Sequence, residues 1–190
     1  MGDAVEDRAK AEELPEGDVI RILLEQHAQV RDLFAEIQEA PAAGRREPFD
    51  RLRALLAVHE TGEELVLRPR AEGEEWKEVA TERNQEEEEA NRVLKSLEDL
   101  DPASEAFLAR LQEFETSVDD HAEAEEAQEF PRVLETLDAD ERRKLGSRLL
   151  AVEKMAPTHP HPMAAGSTTA QALTGPFAAM VDRVRDALSR

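Results

Sequence analysis

Between residues 18 and 130, apolar side chains recur every three or four positions in four successive segments. No stretch alternates with the period of two that a half-buried strand needs. The first segment carries Ile20, Leu23, Val30, Phe34 and Ile37. Asp18 stands where an N-cap belongs, and Ala40-Pro41-Ala42-Ala43-Gly44 ends the run. The second starts near Pro48, carries Phe49, Leu52, Leu55, Leu56 and Val66, and is expected to end before Pro69. The third brings Ala80, Ala90, Leu94 and Leu97 inward until Asp101-Pro102 breaks it. The fourth carries Phe107, Leu111, Phe114 and Val118 and is expected to stop before Pro131. Short connections between such helices favour antiparallel neighbours. The expected fold is therefore all-α: an up-down-up-down antiparallel four-helix bundle over residues 17–135, with a C-terminal helical extension. Residues 1–16 read as a flexible tail and 136–156 as a fifth helix capped by Asp138. A Pro/Ser/Thr linker follows over 157–175, then an amphipathic helix over 176–190 with Phe177, Met180, Val181, Val184 and Leu188.

Polar residues interrupt each stripe where an apolar one is due. His27 lies on the first stripe, His59 and Glu63 on the second, Arg83 and Glu87 on the third, and His121 and Glu125 on the fourth. Residues four apart stack on one helical face, so each His-x-x-x-Glu pair presents both side chains to one point. The pairs His59/Glu63 and His121/Glu125 repeat one local arrangement 62 residues apart, each with a proline ten residues after its histidine, in a chain with only 5 histidines. Aligning residues 27–37 with 87–97 superposes Val30 on Ala90, Phe34 on Leu94 and Ile37 on Leu97, and places Glu87 opposite His27. Two similar helical hairpins result, each offering one ligand from its first helix and a His/Glu pair from its second. Glu87 sits in the acidic run 86–89, and only the stripe and the repeat select it over its neighbours. Glu60, Glu64 and Glu126 read as solvent-facing, and His159 and His161 as part of the linker. Three inward carboxylates are costly to bury unless something compensates them. Two divalent cations would do so, with Glu63 and Glu125 placed to bridge them.

Charge narrows the partners. The chain has 44 acidic and 24 basic residues, a net charge of -20, which repels nucleic acid and anionic lipid. No apolar run approaches the roughly 20 residues needed to cross a bilayer. No apolar segment near residue 1 reads as a secretory signal. The absence of cysteine excludes disulfides and thiolate ligands and fits a cytoplasmic setting.

A histidine on the first helix and His-x-x-x-Glu on the second and fourth resemble the hemerythrin-like family, the HHE cation-binding domain, over about residues 18–135. The resemblance implies a four-helix bundle with an oxo- or hydroxo-bridged centre of two iron ions. His27, His59 and His121 would be terminal ligands and Glu63 and Glu125 bridging carboxylates. The family places further histidines on the third helix. This chain has none between His59 and His121, and Glu87 is the expected substitute. A carboxylate in place of an imidazole favours Fe(III) and lowers the reduction potential. The expectation is a centre that binds or reacts with O2, peroxide or NO rather than a reversible O2 carrier. The alternative is a non-catalytic metal-binding or sensing module, and zinc is open as a substitute for iron. Neither the redox partner nor the oligomeric state is written in the sequence.

Overall fold

In the computed structural model the chain is described over residues 2–67, 86, 90 and 92–155. The expected linker 157–175, the terminal helix 176–190, and Arg83, Glu87, His159 and His161 lie outside the described residues. Among the described residues every regular element is helical: α1 (Ala4–Glu12), α2 (Val19–Glu39), α3 (Arg46–Gly62), α4 (residues 92–98), α5 (Glu105–Ala124), α6 (Phe130–Thr136) and α7 (Ala139–Met155). No helix among the described residues is long and apolar enough to cross a membrane.

Side-chain pairs fix the helix directions. Gln26 meets His59 and Glu36 meets Arg51, so α2 and α3 run antiparallel. Arg31 meets Asp119 and Phe34 packs edge-on against Phe114, so α2 and α5 are antiparallel as well. Ser96 meets Arg110 and Glu86 meets His121, which sets α4 against α5. Phe49 packs on Phe107 while Glu60 faces His121, so α3 and α5 point the same way. These pairings make an up-down-up-down bundle.

Each helix begins and ends where local chemistry requires. Asp18 accepts from the Ile20 N–H at 3.0 Å and caps α2. A cap of this kind stabilises a helix by about 1 kcal/mol. Its second oxygen takes a 2.7 Å bond from Arg142, which ties α7 to the start of α2. Gly146 lets α7 approach closely, because a Cβ there would collide with the carbonyl of Gly17. Ser104 caps α5 by accepting from the Phe107 N–H at 3.1 Å. Asp138 caps α7 by accepting from Asp140 and Glu141, each at 2.9 Å.

Two of the boundaries expected from sequence are corrected. The supposed tail over 1–16 is helical as α1, capped by Asp3, and packs on α2 with Asp7 and Ala11 buried four residues apart. Its charged composition hid one inward face, because Asp7 finds its counter-ion in Arg31 across the interface. The fourth helix does not stop at Pro131. It continues through a π-helical turn, Glu125–Glu129, into α6. Proline lacks an N–H and crowds the carbonyl four residues back. The wider turn, in which Phe130 N–H reaches the Glu125 carbonyl, absorbs both problems. A second π turn, Glu63–Leu67, continues α3 in the same way.

The core is split in two. One cluster joins Ile20, Leu23, Val66, Phe130, Leu145 and Leu149, where the start of α2 meets α3, α6 and α7. The other joins Phe34, Ile37, Phe49, Leu52, Phe107 and Phe114 toward the opposite end. The buried histidines and glutamates lie in the layer between them.

Candidate metal centre

His27, His59, Glu63, His121 and Glu125 are buried together at that level, with Glu125 only 1% exposed. The helical period delivers them: His27 continues the stripe of Leu23 and Val30 on α2, and each His/Glu pair spans one turn of α3 or α5. Both glutamates open a π turn. Such a turn inserts an extra residue and re-aims the side chains beyond it, and it is frequent at functional sites.

The three imidazoles share one orientation. His27 Nδ1 donates to Glu126 Oε1 at 3.0 Å, His59 Nδ1 to Gln26 Oε1 at 2.8 Å and His121 Nδ1 to Glu86 Oε2 at 2.9 Å. Gln26 is itself held, its amide donating to Glu153. With every Nδ1 tied to an oxygen, every Nε2 faces the interior. An outer partner that orients a histidine in this way is the usual support of a metal ligand. Glu125 stands at the centre. Its Oε2 lies 3.3 Å from His27 Nε2 and 3.8 Å from His59 Nε2, and its Oε1 lies 2.9 Å from His121 Nε2. The carboxylate therefore spans two groups. One is His27, His59 and Glu125; the other is Glu60, Glu63 and His121. Within each group one ligand atom per residue lies within 4.8 Å of the others.

The donor set fits cations better than a self-satisfied polar network. His27 Nε2, His121 Nε2, Glu60 Oε2 and Glu125 Oε2 are buried without a well-aligned hydrogen bond, although each of the two imidazole nitrogens lies within 3.3 Å of a Glu125 oxygen. Buried polar atoms left unsatisfied are costly, and in native proteins they call for an ion or another partner. The protons of the ion-free site are distributed accordingly. Burial and the neighbouring Glu125 push the Glu63 carboxyl well above the usual carboxylate range. Burial would push Glu125 up too, but His121, His27 and His59 hold it well below that range. Burial opposes charge on His121, yet Glu125 and Glu86 push it up to about 12. His27 is likewise raised against burial by Glu125 and Glu126.

Two acidic residues expected to face solvent do not. Glu60 points inward and lies 3.8 Å from His121 Nε2, because Leu56, Glu60 and Glu63 form a second line down the buried side of α3. Glu126 supports His27 and is bonded at 2.9 Å by Lys10 of α1. Sequence reasoning also missed Gln26, Glu86 and Glu126 as partners of the imidazoles. No stripe marks them: Gln26 and Glu126 are each adjacent to an inward residue rather than on its line, and Glu86 is one of a run of four glutamates. Arg31, half encircled by Asp7, Asp119 and Glu126, closes the side of the site toward α1. A cavity of about 20 Å³ opens onto the three histidines and Glu125, with Val30, Leu56, Val118 and Ala122 forming its aliphatic part.

An antiparallel four-helix bundle with a buried layer of convergent imidazoles and carboxylates defines a helical cation-binding protein. The chain belongs to the hemerythrin family: the family described as the hemerythrin HHE cation binding domain matches residues 18–133. It is also similar to an uncharacterized hemerythrin-like protein of Schizosaccharomyces pombe, 30% identical over 138 residues, which cover 71% of this chain and 68% of that one. No solved structure matches the chain. The domain is one that binds metal cations, and the His/Glu groups described above are able to hold them.

Proposed function

We propose that the chain is a cytoplasmic non-haem di-iron protein that binds or reacts with O2, peroxide or NO. The observation that carries this reading is the position of Glu125, one oxygen toward His27 and His59 and the other toward His121. A carboxylate so placed would help hold two cations, with His27 and His59 on one side and His121 on the other, and a pair of irons would supply one-electron and O2-type chemistry there. The residues do the rest. Gln26, Glu86 and Glu126 hold the imidazoles in one tautomer and direction. The two apolar clusters keep bulk water from the layer between them. The cavity beside the histidines has room on the scale of a water molecule, and its lining combines aliphatic side chains with the ionisable groups of the site. That size suits a diatomic molecule or peroxide and excludes an organic substrate of ordinary size.

Three imidazoles against three carboxylates make a more anionic set than one dominated by histidine. Such a set favours the oxidised metal and reaction over reversible carriage. The test is to reduce the iron-loaded protein anaerobically and expose it separately to O2, peroxide and NO. A change in the near-ultraviolet and visible spectrum with at least one of them is expected. No change with any of the three overturns the reading.

A further inference from the structure

We propose that Glu60 is a direct metal ligand that completes, with Glu63 and His121, a carboxylate-rich second cation position beside the imidazole-rich one of His27, His59 and Glu125. This deepens the reading above and rests on it for the presence of two cations, but it concerns a residue that neither the repeat nor the stripe pattern selects.

The third helix carries no histidine, and Glu87, the donor expected there, lies outside the described residues. Glu86, on the third helix, is already committed: its carboxylate lies 2.9 Å from His121 Nδ1, the ring nitrogen that faces away from the site. A residue on that side orients the imidazole and does not share its metal. Glu60 is on the other side. Its Oε1 lies 3.8 Å from His121 Nε2, and its Oε2 is buried without a hydrogen bond.

A second observation points to an ion independently of the acidic residues. The His121 side chain is only 10% exposed, and its Nε2, aimed into this group, has no well-aligned hydrogen bond, its nearest acceptor being Glu125 Oε1 at 2.9 Å. His27, at 2% exposed, leaves its Nε2 in the same condition at the other position. Ligands bonded to one ion at about 2.1 Å stand at most about 4.2 Å apart. The ligand atoms of Glu60, Glu63 and His121, all within 4.8 Å of one another, therefore close on an ion with a small shift of flexible side chains.

The result is an unequal pair. One position has two neutral imidazoles and a share of Glu125. The other has one imidazole and two carboxylates of its own. Ligand type sets metal preference, imidazole suiting borderline ions and carboxylate harder ones. Glu60 also restores the balance of three imidazoles to three carboxylates without any ligand from the third helix.

The experiment uses Zn2+ alone as a probe, so that redox chemistry does not enter. Metal-free full-length chain, E60Q, E60H and E86Q are titrated with Zn2+ by calorimetry, and bound zinc is counted by mass spectrometry after desalting. The unaltered chain is expected to hold two zinc ions and E60Q one, with the second equivalent weakened at least tenfold. E60H, which returns a donor to the same turn, is expected to recover the second equivalent even if E60Q folds poorly. E86Q is expected to keep two, at weaker affinity. Circular dichroism of metal-free E60Q should match the unaltered chain, because the change removes one carboxylate from a crowded group. Two equivalents bound by E60Q at undiminished affinity, or loss of one by E86Q in its place, would overturn the assignment. If zinc behaves as expected while reduced iron protein ignores O2, peroxide and NO, Glu60 stands as a ligand and the functional reading falls.

Discussion

Glu126 Oε1 lies 3.0 Å from the Nδ1 of His27, and its other oxygen lies 2.9 Å from Lys10 Nζ on a helix that precedes the family's matched region. The first helix is thereby joined to the metal centre through two hydrogen bonds. Removing an outer partner of a metal-bound histidine typically weakens metal binding 10- to 100-fold. Glu126→Gln should therefore lower Zn2+ affinity by about tenfold or more, and Lys10→Ala should lower it by less. Competition against a chromophoric chelator measures both. Equal affinities for all three proteins would show that α1 does not act on the centre.

The same carboxylate gives the metal-free protein a marked acid sensitivity. Burial would raise Glu126, but His27 and Lys10 hold it at about 2, below the ordinary value of 4.5. A depressed carboxyl contributes stability above its unfolded value, and that contribution is lost as pH falls toward the folded one. Metal-free protein should lose stability between pH 4.5 and about 2 more steeply than Glu126→Gln does. Urea melts across this range would reveal it, and parallel curves would count against the ion pair.

Metal uptake should release protons. His121 is held at about 12 by Glu125 and Glu86, so it carries a proton near neutral pH that a cation must displace, and His27 and Glu63 are shifted in the same direction. Affinity should accordingly rise with pH. Calorimetric titrations in buffers of different ionisation enthalpy count the released protons. A heat independent of buffer would contradict this picture.

The apolar clusters should be separable from the centre. Phe34 is 1% exposed and packs edge-on against Phe114 at 5.7 Å between ring centroids. Phe34→Ala should cost about 3–5 kcal/mol of stability, while leaving the number of bound cations unchanged. Chemical denaturation and metal analysis of the same preparation test the two halves of that statement.

Much of this was legible from spacing alone. Ile20, Leu23, Phe34, Leu52, Leu94 and Phe114 are buried as the stripes require, and His27, His59, Glu63, His121 and Glu125 come to one level because they continue those stripes. The remainder was hidden for physical reasons. A π turn depends on hydrogen bonding after Glu63 and Glu125 and leaves no periodic mark in the residues. Pro131 reads as a stop unless that turn is known. α1 looks like a charged tail because its inward Asp7 is compensated by Arg31, 24 residues away. Glu60 and Glu126 look like solvent-facing members of acidic runs. Their burial depends on which neighbouring helix closes over them, and that is a property of the assembled bundle.

Above all, this chain should grip a pair of cations between its two apolar clusters. Metal counted in freshly purified protein by mass spectrometry, alongside an absorption spectrum and a melting curve with and without chelator, decides the matter. Two metal ions per chain, iron with a near-ultraviolet band, and a melting temperature that falls on chelation are expected, because binding energy is partly folding energy. A preparation without bound metal that takes up none when offered, and that melts identically with chelator, would contradict it.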